Sequence, residues 1–145
     1  MREWLGRVEG NRVVLNEKGV IVKKYLEEIP IHFKNVDIDE YIIMPNHLHI
    51  IIIIHPQTVG EADLRPLQNT NMDKTKMLLS KIIHGFKGTV TRHLRKQRLP
   101  FCWQRSFYEH VIRSEISLTK IRAYIYLNPY KWHTDEYFGR EYLMA

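Results

Sequence analysis

The chain has 145 residues, 44% of them hydrophobic and 26% charged, with a formal net charge of +6; this fits one globular domain over residues 1–145 and excludes a disordered chain. Cys102 is the single cysteine, which excludes an internal disulfide and a cysteine-based zinc finger. No apolar run reaches the roughly 20 residues that span a bilayer, so a cytoplasmic protein with no membrane-spanning segment is expected, its basic charge pointing to a polyanionic partner.

Residues 7–15, RVEGNRVVL, read as a hairpin turning at Gly10-Asn11. Asn16 then caps an amphipathic helix in which Val22, Leu26 and Ile29 share one side, and Pro30 is expected to end it. Val36 to Met44 and His47 to Ile54 read as strands interrupted at Pro45-Asn46, because proline cannot donate to a ladder. Residues 55–73, rich in amides and proline, are expected to form a flexible loop. From Lys74 to Arg98, Leu79, Ile82, Ile83, Phe86, Val90 and Leu94 repeat at three- and four-residue spacing and predict a long helix. Phe107 to Ile112 reads as another strand on β-propensity. Ser114 or Ser117 caps a last helix that stops at Pro129, and the tail from Tyr130 is irregular or weakly helical.

The stretch YIIMPNHLHIIIII, residues 41–54, concentrates the chemistry. Side chains alternate along a strand, so His47 and His49 share one face while Ile50, Ile52 and Ile54 leave by the other. Two such imidazoles are either hydrogen-bonded core histidines or two ligands of a metal site that needs a third donor from elsewhere in the fold. On the last helix, Tyr124 and Asn128 lie four residues apart and project together, flanking the apolar stripe of Leu118, Ile121 and Ile125. The 74–98 helix carries Lys81, Lys87, Arg92, Arg95 and Lys96 off its stripe with almost no acids between them, either as a solvated face or as a phosphate-contacting one; Arg105 adds to this basic set. Trp103, Tyr108 and Trp132 are candidates either to pack the core or to stack on unpaired bases.

MPNHLH at 44–49, WQRSFYEHVIRS at 103–114 and IRAYIYLNPYKW at 121–132, in that order, resemble the REP-associated tyrosine transposases, a branch of the single-tyrosine transposases within the HUH endonuclease superfamily. The resemblance extends over most of the chain. It implies an α+β domain built on an antiparallel ferredoxin-like sheet with helices packed mainly on one face. It further implies that His47, His49 and Asn128 bind a divalent cation, Mg2+ or Mn2+, and that Tyr124 is the nucleophile. The implied reaction cleaves and rejoins single-stranded or hairpin DNA, including repetitive palindromic elements, through a 5′-phosphotyrosine, in a cytoplasmic, nucleoid-associated monomer or homodimer. Members of this branch carry a further strand and basic turn ahead of the segment matching WLGRVEGNRVVLN, so the chain reads as N-terminally truncated. The alternatives are a catalytically inactive DNA-binding remnant and a metal-dependent phosphoesterase that uses water as nucleophile.

Overall fold

The protein is described by a computed structural model over residues 4–56, 70–103, 105 and 107–134. Strands β1 (Gly6–Glu9) and β2 (Arg12–Leu15) pair antiparallel, with Glu9 opposite Arg12. Gly10 takes the positive φ of 64° that a two-residue hairpin turn demands. Helix α1 (Glu17–Glu27) starts on Asn16, whose side chain accepts from the Gly19 amide at 3.0 Å; such caps contribute about 1 kcal/mol. Val22, Leu26 and Ile29 are all buried, as their spacing requires. Pro30 does not end α1. It sits in the first turn of a separate short helix, α2 (Ile29–His32), where its missing N–H costs nothing.

Strands β3 (Val36–Ile43) and β4 (Leu48–Ile54) form a second antiparallel pair, turning through Met44 to His47, where the Met44 amide donates to the His47 carbonyl at 2.8 Å. Ile38 faces Ile52 and Tyr41 faces Ile50, so Asp39 and Glu40 together oppose Ile51 and bulge β3. Helix α3 (Thr70–Lys96) includes Thr70 to Asp73, which the sequence placed in the loop; residues 57–69 of that loop lie outside the described residues. Arg98 takes φ 56° just past α3, where the Leu99 amide reaches back to the Leu94 carbonyl and the Arg98 amide to Arg95, closing the helix as a Schellman motif. Helix α4 (Glu115–Leu127) begins on Ser114, which accepts from the Ser117 amide, and runs into a 3₁₀ turn at Pro129–Thr134.

The main core gathers Val22 and Leu26 of α1, Ile43 and Leu48 of the β3–β4 pair, and Ile82, Phe86, Val90 and Leu94 of α3, with Ile50, Ile52 and Ile54 packed against it. Each fully buried aliphatic side chain of this set contributes about 1.5–3 kcal/mol. Leu5, fully buried, knits the N-terminal hairpin to the histidine turn: its amide donates to the Pro45 carbonyl and its carbonyl accepts from Asn16. The architecture is α+β, built on two separate two-stranded antiparallel sheets among the described residues. One expectation is corrected: Phe107 to Ile112 is irregular, with no strand paired to it among the described residues, and Tyr108 to Val111 stay exposed. The core face of β4 meets α1 and α3, whereas α4 approaches the opposite, histidine-bearing face. No helix among the described residues is long and apolar enough to cross a membrane.

Candidate active site

His47 closes the Met44–His47 turn and His49 follows one residue into β4, so alternation sends both imidazoles to one face. Their ring centroids lie 4.8 Å apart at 78°. The His49 ring also meets Tyr124 edge-on, with centroids 5.3 Å apart at 76°. Strand and helix thus bring together three of the four residues singled out as metal ligands and nucleophile. The fourth, Asn128, caps α4 and is 2% exposed, whereas Tyr124 is 45% exposed.

The nitrogen chemistry of His47 is set by Asn46, which the sequence marks only as part of the interruption between two strands. Asn46 is buried, and its Oδ1 accepts from His47 Nδ1 at 2.8 Å. The proton therefore sits on Nδ1, and Nε2 presents a lone pair to the site. Burial, with the neighbouring His49 adding to it, pushes His47 down to about 3, so the ring is neutral at physiological pH. Trp132 of the 3₁₀ turn, itself buried, meets the His47 ring at a tilt of 32° with centroids 5.9 Å apart. The sequence signals for these two supports were an amide directly before a buried histidine and a tryptophan four residues after Asn128.

Asn128 Oδ1, His47 Nε2 and His49 Nε2 are buried and make no hydrogen bond among the described residues. A buried amide oxygen in that condition fits coordination of a cation, since leaving it without any partner costs about 1–3 kcal/mol. Among the described residues no three His, Cys, Asp or Glu side chains gather into a metal-binding group. A cation held by His47, His49 and Asn128 would have two imidazole nitrogens and one amide oxygen, a donor set that carries no charge of its own.

The basic residues divide. Lys81, Arg92, Arg95 and Lys96 are exposed along α3, and Arg105 is exposed in the irregular segment after it. Lys87 departs from the expectation: it is 8% exposed, lies over the Trp103 ring at 5.6 Å, and burial lowers its pKa. It is part of the packing of α3 against the aromatic segment rather than of an outward basic face. Trp103 belongs there too, donating from Nε1 to the Lys87 carbonyl at 3.2 Å and touching Phe86 and Phe101. Of the three aromatics offered as base stackers, only Tyr108, 86% exposed, is available in that form.

No protein-family model and no solved structure matches the chain. It is 41% identical over 138 residues to an uncharacterized protein of Haemophilus influenzae, an alignment covering 92% of this chain and 76% of that protein. The chain belongs to the same family as that Haemophilus protein.

Proposed function

We propose that the protein is a metal-dependent, transposase-like DNA strand transferase in which Tyr124 is the nucleophile and His47, His49 and Asn128 hold a divalent cation, Mg2+ or Mn2+. The observation that carries this reading is the position of His49, with its ring 4.8 Å from His47 on one side and 5.3 Å from Tyr124 on the other. Residues 75 apart in the chain, His49 and Tyr124, meet there, in the combination that the resemblance to REP-associated tyrosine transposases implies. The ferredoxin-like arrangement of that family is part of the same reading, with β3 and β4 as two strands of its sheet.

A phosphodiester resists attack because its own negative charge repels an electron-rich nucleophile. When bound, the cation supplies neutralisation of that charge. His47 and His49, kept on one rigid strand face, and Asn128, one helical turn beyond Tyr124, are the groups that hold it. Tyr124 gives up its phenolic proton as its oxygen bonds to phosphorus; the bond from phosphorus to the 3′-oxygen breaks, and that oxygen leaves as a 3′-hydroxyl with a proton. A 5′-phosphotyrosine stores the phosphoester energy, and attack by a second 3′-hydroxyl releases the tyrosine and joins strands. The substrate is single-stranded or hairpin-forming DNA, held by the exposed cations of α3.

The test is incubation of the purified protein with a labelled hairpin-forming oligonucleotide and Mn2+, followed by denaturing electrophoresis. A covalent protein–DNA band that forms with Mn2+ and not with a chelator is expected. Hairpin DNA bound but never joined to protein would overturn the reading in favour of a catalytically inactive DNA-binding protein. For the basic helix, Arg95→Ala and Lys96→Ala each weaken hairpin binding and reduce the salt dependence of log K by about 1. Binding titrations at several salt concentrations check this.

A further inference from the structure

Arg122 and Asp39 form a two-pronged ion pair between α4 and β3: Arg122 Nε donates to Asp39 Oδ2 at 2.8 Å while Nη2 donates to Oδ1. Asp39 is brought to α4 by the bulge in β3, where it and Glu40 oppose the single residue Ile51. Its side chain is only 15% exposed, and the Arg122 guanidinium holds its carboxyl below the usual range. The bulge thus holds a carboxylate in a two-pronged pair at the surface, where it meets a helix with few buried side chains of its own. Within α4 itself only Ile125 is buried, with Asn128 following at the C-cap and Leu118 and Ile121 half-buried.

At 100° per residue, Ile121, Ile125 and Asn128 define the docked face of α4. Tyr124 falls on one edge of that face and Arg122 on the other. An apolar stripe resists separation from the sheet but opposes rolling weakly, because hydrophobic contact is non-directional. A planar guanidinium–carboxylate fork is directional in both distance and angle. With side chains reaching about 5–6 Å from the helix axis, a roll of about 20° displaces the tyrosine edge by about 2 Å. Misplacement of a reacting group by about 1 Å costs about a hundredfold in rate.

We infer that the Asp39–Arg122 pair sets the roll of α4 and is thereby the positioning device for Tyr124 against His49. This rests on the reading of Tyr124 as nucleophile for its kinetic consequence, but not for its geometric one. Arg122→Lys keeps the charge and loses the fork; Asp39→Asn keeps the size and loses the charge. Because exposed ion pairs contribute little to stability, both variants are expected to fold with melting temperatures close to that of the unaltered protein.

Two readouts decide. With Mn2+ and a hairpin oligonucleotide, each single variant forms the covalent adduct about 10- to 100-fold more slowly while its affinity for the oligonucleotide is unchanged, and the double variant is no slower than the slower single one. In the metal-free protein, the NMR cross-relaxation between the Tyr124 and His49 rings is weakened in both single variants. Wild-type adduct rates in both variants, rate losses that multiply in the double variant, or an unchanged Tyr124–His49 contact would overturn the inference. If the unaltered protein makes no adduct, the nucleophile reading falls, and the ring contact alone then decides for or against the positioning role.

Discussion

Tyr124→Phe abolishes covalent attachment to hairpin DNA while leaving the affinity for that DNA unchanged. The side chain is 45% exposed at the edge of α4, and its ring contact with His49 is made through the aromatic edge, which phenylalanine retains. The substitution therefore preserves the fold and removes only the phenolic oxygen, the group proposed to attack phosphorus, so a complete loss is expected. Neighbouring tyrosines do not compensate: Tyr126 is 76% exposed two residues along α4, on a different face of the helix, and the Tyr130 hydroxyl accepts from Asn11 Nδ2 at 2.6 Å. Denaturing gels and filter-binding titrations on the same preparations check the two halves of this result. A Tyr124→Phe protein that still formed adduct would remove Tyr124 from the chemistry.

The second large effect is acid destabilisation centred on His47. Burial, assisted by His49, lowers its folded-state value from 6.5 to about 3. Below pH 6.5 the unfolded chain takes up a proton on this residue that the folded protein refuses, so protons favour unfolding. The contribution of His47 to stability is fully present above about pH 6.5 and is lost as pH falls toward about 3. Between pH 7 and pH 5 the loss is on the order of 2 kcal/mol. Urea unfolding of the metal-free protein at the two pH values measures it, and His47→Gln flattens the difference by a similar amount. Equal pH dependence in the variant and the unaltered protein would show that the acid-sensitive group lies elsewhere.

Much of the scaffold was legible because local signals and tertiary packing agree. Gly10-Asn11 turned the first hairpin, Asn16 and Ser114 capped α1 and α4, and the alternation in β4 sent Ile50, Ile52 and Ile54 toward the core. Where a property depends on a neighbour distant in sequence, the sequence alone misled. Phe107 to Ile112 has the composition of a strand but no strand paired to it among the described residues, and strand propensity is largely a measure of such neighbours. Lys87 is four residues after Ile83 and three before Val90, so its spacing placed it on the border of the buried stripe. Its charge argued the other way, and the Trp103 ring, unseen in the sequence, provides the cover. Pro30 read as a terminator because its position in the first turn of α2 depends on a break at Glu28 that nothing local announced.

The candidate site was legible in part for the same reason. His47 and His49 follow from strand alternation, and Tyr124 with Asn128 from helical spacing, but their meeting depends on α4 crossing the histidine face. The supports were less legible: Asn46 stood only at the interruption between two strands although its side chain fixes the His47 proton, and Trp132, a candidate for packing or stacking, lay in a tail without periodicity that gave no sign of which ring it meets. Asp39 and Arg122 were ordinary surface charges until the bulge in β3 placed them together.

The most direct test of the central claim, that β4 and α4 form one reaction centre, is to map the covalent bond. After reaction with a hairpin oligonucleotide and Mn2+, nuclease trimming and proteolysis, tandem mass spectrometry should find a 5′-nucleotide phosphate on Tyr124 and on no other residue. A nucleotide attached to any other tyrosine, or none on protein that has demonstrably nicked its DNA, would contradict it.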